Sequence, residues 1–390
     1  MRVHIGSHYF GCGNSGDDWT LAGFLRSWRR WGSPCSFTCA TLFDRTSLAN
    51  RFPEIDWLPC DLATRSQAIK QCDVWVSVGD TPFQNDTGPW MLEHLDAERK
   101  LCEKLGKPSF FLCVGVNKNT VFEDPRAVAT ARSAEHIWAR DRQCAGWLGE
   151  VVTSGRVTLG ADLANVYFES KQRRLASVDV GWLLHAEDCE VLAKEPLRLA
   201  INTFAGKKQT WLVQEVRELP GSERERYQAF SDTEKRALSV AIPSYSIAGV
   251  DGLYDAWPAC TQVVSTRYHG GLWAAWSGAR LVLIERNDKL RGLSDELGCR
   301  RLPALKCAEE LERELTAALP VQPQVLNNLV ERANRSCDEF FQRALAVHAK
   351  RNAGLTRRVG ALLERARDKL ATICNPRLAR MRKLFGHKSA

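Results

Sequence analysis

No apolar run in this chain approaches the roughly 18–20 residues that a bilayer-crossing helix requires, which argues against a membrane-spanning protein. The N-terminus, Met1-Arg-Val-His-Ile-Gly6, turns strand-like at once and has neither a long apolar stretch nor a cleavage signal, so a cytoplasmic protein is predicted. There is no Cys-x-x-Cys among the 14 cysteines, and the closely spaced Cys35 and Cys39 lack partners at zinc-finger spacing. Reduced, small, buried cysteines are therefore expected, and no metal site is predicted. Low-complexity tracts and 20–50-residue repeats are also missing, which excludes solenoids and arrays. Most of the chain carries little net charge. Residues 351–390 hold eleven Lys/Arg against Glu364 and Asp368, enough to account for the whole formal charge of +8. The body is thus no basic nucleic-acid binder; its tail alone is basic.

What remains is the composition of a globular protein: 44% hydrophobic and 26% charged residues over 390 positions, enough for two ordinary domains. The 13 tryptophans scatter through helical and strand patterns, which favours core packing over a base-stacking surface. Residues 2–116 alternate short apolar runs with helical periodicity, the pattern of βαβ units. Strands are predicted at Arg2–Ile5, Ser36–Leu42, Val74–Val78, Ser109–Val116, His136–Ala139 and Val157–Leu159, with helices over Asp18–Trp31, Pro89–Leu105 and Arg142–Leu148. A polar, basic stretch, Glu169–Ala176, reads as a linker. The alternation then restarts, with strands predicted at Arg198–Asn202, Ser239–Ile242, Gln262–Thr266 and Arg280–Glu285. The fold class predicted is α/β: two Rossmann-like domains, 1–168 and 177–320, facing a cleft in a glycosyltransferase-B-like arrangement. A helical, basic extension, 321–390, completes the chain.

The segment richest in chemistry is Thr261-Gln-Val-Val-Ser265-Thr-Arg267-Tyr-His269-Gly270-Gly271. A buried strand runs straight into a helix beginning near Gly270, so Ser265, Arg267 and His269 are predicted to share one face at the strand's carboxyl end. There a guanidinium, an imidazole and free helix N–H groups suit a small, doubly anionic substrate and a proton transfer. The glycine loop Gly11-Cys-Gly13-Asn14-Ser-Gly16 matches G-x-G-x-x-G, but three features oppose a dinucleotide. His8-Tyr9-Phe10 separate strand from loop, Asp17 and Asp18 repel a pyrophosphate, and no acid follows at the expected distance. Either aspartate serves as a helix N-cap, or Asn14 and Asp17 hold sugar hydroxyls, or Asp17 serves as a base. His4, His8, His94 and His136 lack any partnering pattern and read as structural.

Phe10-Gly-Cys-Gly-Asn-Ser-Gly-Asp-Asp18 resembles the opening motif of the polysaccharide pyruvyl transferase family. Later blocks fall in that family's order: Cys72–Asn85 around Gly79 and Asp80, Gly106–Val116, Ala139-Arg140-Asp141, Asp162, Ser265–Gly270, and Lys289. One departure is Val78-Gly79-Asp80, where the family carries consecutive glycines. The resemblance, over roughly residues 3–300, implies a pyruvyltransferase of polysaccharide biosynthesis. Such an enzyme moves pyruvate from phosphoenolpyruvate onto a sugar of a glycan or lipid-linked acceptor, as a ketal, without a cofactor. In that scheme Arg267, Arg140 and Lys289 bind the donor's anions and His269 carries the proton. Asp17, with Asp80 as a second choice, deprotonates the sugar, and Gly13, Asn14, Gly16, Gly79, Ser265 and Gly270 line the site. The segment Leu378–Phe385 reads as a cationic interfacial anchor, implying peripheral membrane contact. Two alternatives stay open: a nucleotide-sugar glycosyltransferase of the same architecture, and a non-catalytic relative.

Overall fold

The computed structural model describes residues 1–350 and 362, except 7, 33, 86–87, 186–193, 217–221 and 246–248. The basic tail after residue 350 lies outside the described residues, residue 362 apart. By its contacts the chain divides into a unit of Met1–Phe341 and a second unit beginning at Gln342, described only through helical residues 342–350 and residue 362.

The larger unit carries two sheets. In the first, β1 (Arg2–Ile5), β2 (Ser36–Thr41), β3 (Ile55–Pro59), β4 (Val74–Val78), β5 (Ser109–Val114), β6 (His136–Ala139) and β7 (Val157–Leu159) lie in the order β3-β2-β1-β4-β5-β6-β7. In the second, β8 (Val178–Leu183), β9 (Gln209–Leu212), β10 (Leu238–Ala241), β11 (Cys260–Ser265), β12 (Arg280–Ile284) and β13 (Arg300–Leu302) lie in the order β10-β9-β8-β11-β12-β13. Every pairing is parallel. The central strands β4 and β5 are buried throughout, which explains their unbroken apolar character: helices cover both faces of a parallel sheet. Two Rossmann-like halves, as predicted, stand side by side. In each, the strand order reverses beside the first strand, at β1/β4 and at β8/β11. Crevices at such reversal points are where α/β sheets hold ligands.

The sequence reading failed at identifiable places. Arg198–Asn202 is not a strand but part of a helix, Lys194–Thr203. Leu197, Ala200, Ile201 and Phe204 are buried at helical spacing, so a short stretch that also fits period-two alternation takes the helical state its packing rewards. β3, β8, β9 and β13 went unpredicted, each only three to six residues long. The C-terminal region is helical from residue 323, as predicted. Residues 323–341 return to the first half, where the Phe340 ring lies 5.5 Å from Phe110 and 6.2 Å from Trp138, and Phe341 stacks 5.8 Å from Phe24.

Candidate active site

Between the two halves the chain makes a set of specific cross-contacts, built largely by the glycine loop. Gly13, at φ +90°, adopts a left-handed conformation that L side chains resist. Its carbonyl accepts the N–H of Val216, and the N–H of Ser15 donates to Gln214 O, so the loop adds a short antiparallel contact to the second half. Asn14, rather than either aspartate, is the N-cap of the Ser15–Trp31 helix. Its Oδ1 accepts the Gly16 N–H at 3.1 Å and also the Gln214 side chain at 2.9 Å.

The Arg267 and His269 pair is arranged differently from the strand-based expectation. β11 ends at Ser265 and the next helix starts already at Tyr268, so the two-residue alternation stops before it reaches His269. Ser265 Oγ donates to the Arg267 carbonyl (2.9 Å) and accepts its N–H (3.0 Å), stapling the turn. Arg267 points to its own half, where its Nη2 meets Glu215 at 2.8 Å and Glu223 at 2.5 Å. His269 crosses to the first half: its Nε2 lies 3.1 Å from Thr20 Oγ1 and 3.4 Å from Asp162 Oδ2. Burial raises the Asp162 carboxyl, but the neighbouring His269 and Arg140 outweigh it and hold the group below the usual carboxylate range.

Arg140 is buried under the Tyr268 ring, 3.9 Å from its centroid. Its nearest carboxylates, on Asp141 and Asp162, stand 3.8 and 3.9 Å away, too long for hydrogen bonds, and its Nε and Nη2 make none with the described residues. The loop after β4 enters the same region. Gly79 and Asp80 are both left-handed, at φ +63° and +53°, and a Cβ on Gly79 would collide with the Thr20 methyl. Burial, reinforced by the carboxylates of Asp80, Asp18 and Glu215, pushes Asp17 well above the usual range and favours its protonated form. Asp18 is held instead in a buried cross-half network, with Arg51 Nη1 at 2.9 Å and Tyr245 Oη at 2.5 Å; burial raises it to about 6. Beside this network a cavity of about 430 Å³ opens between the halves, lined by Gly11 and Arg51 on one side and Val216, Arg224 and Tyr245 on the other.

A further residue, His185, was not singled out from the sequence. At the carboxyl edge of the second sheet, His185 follows β8, its N–H donates to Thr266 Oγ1 at 2.7 Å, and its carbonyl accepts from Arg226 at 2.7 Å. Burial first, and then Arg267, Arg286, Arg226 and Lys289, push this imidazole down to about 2. Four cations thus converge where β8, β11 and β12 end. Lys289 reaches over to Gln84 of the first half, Nζ to Oε1 3.4 Å. The first N–H groups of the Tyr268–Ser277 helix have no side-chain cap. Arg267 and Lys289 were expected from the sequence as anion binders; His185, Arg226 and Arg286 escaped because each is an ordinary polar residue in its local context.

The structure also brings together His8, Cys60 and His94, of which the two histidines had read as structural. Of the remaining predicted site residues, Gly16 leaves room for His269, and Gly270 packs tightly, its notional Cβ 3.0 Å from Leu183 and 3.2 Å from Ser265 Oγ.

No family model and no curated protein matches the chain. Solved structures do. The Methanocaldococcus jannaschii UDP-GlcNAc 2-epimerase aligns with a TM-score of 0.57 and 11% identity, over 86% of this chain and 98% of its own. The Neisseria meningitidis UDP-GlcNAc 2-epimerase, solved with UDP-GlcNAc, aligns with a TM-score of 0.55 and 11% identity over 89% and 100%. An S. aureus MnaA–UDP structure aligns with a TM-score of 0.55 and 11% identity over 90% and 96%. These comparisons overturn the resemblance to pyruvyl transferases, and with it pyruvyl transfer, phosphoenolpyruvate as donor and the implied glycan acceptor; the segment Leu378–Phe385, from which membrane contact was expected, lies outside the described residues. The physical reason lies in the motif residues themselves. Asn14 caps a helix, Ser265 staples a turn, Gly16 admits His269 and Gly79 admits Thr20, all of which are demands of strand–loop–helix junctions between two α/β halves, whatever the substrate. Among the described residues no helix is long and apolar enough to cross a membrane. The chain has the two-domain, glycosyltransferase-B-like α/β fold of the UDP-GlcNAc 2-epimerases it aligns with.

Proposed function

We propose that this protein is a nucleotide-sugar-processing enzyme that binds a nucleoside diphosphate-sugar between its two halves and acts at the sugar–diphosphate bond. The observation that carries the reading is the convergence of Arg226, Arg267, Arg286 and Lys289 on His185 at the β8/β11 reversal point, beside an uncapped helix N-terminus. A diphosphate carries two or more negative charges, which these cations and helix N–H donors would neutralise once Arg267 exchanges its contacts with Glu215 and Glu223 for the phosphates. The same charges stabilise the diphosphate as it leaves an anomeric carbon. His185 stays neutral there and offers a ring N–H rather than another positive charge.

The sugar then extends toward the first half. Arg140 brings guanidinium N–H groups that make no hydrogen bonds with the described residues, and His269 and Asp17 bring an imidazole and a carboxyl group that favours its proton. In this reading Asp17 is the acid and His269, oriented by Asp162, relays protons at the sugar. Gly13 and Gly79 shape the backbone beside it. The fold likeness to UDP-sugar enzymes supports the same substrate class.

The test is thermal denaturation with UDP, UDP-GlcNAc, UDP-glucose and, as a contrast, phosphoenolpyruvate. A ligand that binds only the folded protein raises Tm by mass action, about 2.7 kcal/mol at 100 times Kd. UDP and a UDP-sugar are expected to raise Tm, with the shift lost in Arg286→Ala and Lys289→Ala, and incubation with the sugar nucleotide is expected to consume it. No shift with any nucleotide or nucleotide sugar would overturn the reading.

A further inference from the structure

At the carboxyl edge of the first sheet, three side chains remote in sequence come together with their ligating atoms all within 4.8 Å of one another: His8, Cys60 and His94. His8 lies on the loop after β1, Cys60 directly follows β3, and His94 sits on the Trp90–Lys104 helix, one turn before Glu98. None of them takes part in the cleft contacts described above. We propose that His8, Cys60 and His94 form a binding site for a divalent cation of the zinc class, tying the loop after β1 to the end of β3 and to that helix.

The donor set is one that zinc accepts: two imidazoles and a thiolate, with a position left for a further ligand. Closing around the ion to bond lengths of about 2.0–2.3 Å asks the side chains to draw together by about 1 Å. Around the ligands stands the supporting shell such a site needs. His8 Nδ1 lies 3.1 Å from the Ala40 carbonyl, which orients the ring. Glu98, itself buried, stands 2.8 Å from His8 Nε2 and is fixed by Trp75 Nε1 at 3.0 Å. Arg65 contacts both His94 Nδ1 and Glu98, at 3.3 Å each.

The decisive measurement is a cobalt(II) titration of the full-length, chelator-treated protein, followed by zinc competition against a chromophoric chelator. The expected result is about one tight equivalent per chain with a thiolate-to-cobalt charge-transfer band. Cys60→Ser should abolish the band, and His94→Gln should weaken affinity at least tenfold. Replacing the exposed Cys307 by Ser should change neither. If Cys60→Ser loses its fold by circular dichroism, His94→Gln alone decides the matter. A band that survives Cys60→Ser in folded protein, affinity unchanged in His94→Gln, or no tight equivalent in the parent protein would overturn the site.

Discussion

Gly16 and His269 come from opposite halves of the molecule, and the absence of a side chain on the first makes room for the second: a Cβ at position 16 would lie 2.2 Å from the imidazole Nδ1, far inside contact distance. His269 can then reach Thr20 and Asp162 in the first half. The glycine loop, so suggestive of phosphate binding, is here a steric allowance for a histidine.

Gly16→Ala should therefore cost about 1–3 kcal/mol, the usual range for overpacking a filled interior, and lower turnover of the nucleotide sugar together with Tm. Gly149→Ala supplies the contrast. That glycine lies in the Arg142–Val151 helix with open space where a Cβ would go, so alanine should stabilise by about 0.5–1 kcal/mol. Equal Tm losses in the two variants would contradict this account.

Asp162→Asn removes the buried carboxylate shared by His269 and Arg140, leaving the cation of Arg140 undercompensated. A loss of about 3–5 kcal/mol is expected from urea denaturation at pH 7. Because the folded-state pKa of Asp162 is depressed, its contribution is present above the unfolded-state value and disappears as pH falls through the folded one. The gap between parent and variant should accordingly narrow in acid.

Glu223 behaves in the opposite sense. Burial raises it to about 7 despite Arg267 at 2.5 Å. The folded state thus binds a proton more tightly than the unfolded one, and stability should fall as pH rises from about 4.5 to 7. Glu223→Gln should flatten that part of a pH-dependent urea series; an unchanged slope would show that the carboxyl titrates normally.

Phe340 closes the first half from the end of the larger unit, against Phe110 and Trp138. Phe340→Ala should cost about 3–5 kcal/mol, and a chain ended at residue 320 should fail to give a stable first half, as read by circular dichroism and proteolysis.

Much of the architecture was legible beforehand because it depends on local pattern. Val74–Val78 and Ser109–Val114 are continuous apolar runs, and Gly106 with Pro108 ends the helix before β5, so these strands announced themselves. β13 has three residues and two of them are exposed arginines, so its sequence carries no strand signal; pairing with β12 makes it a strand. The motif residues from Gly13 to Lys289 were visible as a set, and the inference drawn from them was mistaken because junction geometry and substrate chemistry use the same residue types.

By itself, then, the sequence determined two parallel α/β halves, the glycine loop, and the strand-to-helix turn at Ser265–Tyr268. These follow from periodicity, helix caps and backbone freedom, which act over a few residues. Tertiary structure alone decided that Arg267 turns to Glu215 and Glu223 while His269 crosses to Thr20 and Asp162. It also decided that four dispersed cations meet at His185, and that His8, Cys60 and His94 share one point. Such encounters join residues tens to hundreds of positions apart. They are set by how sheets and helices pack, and no local signal encodes them.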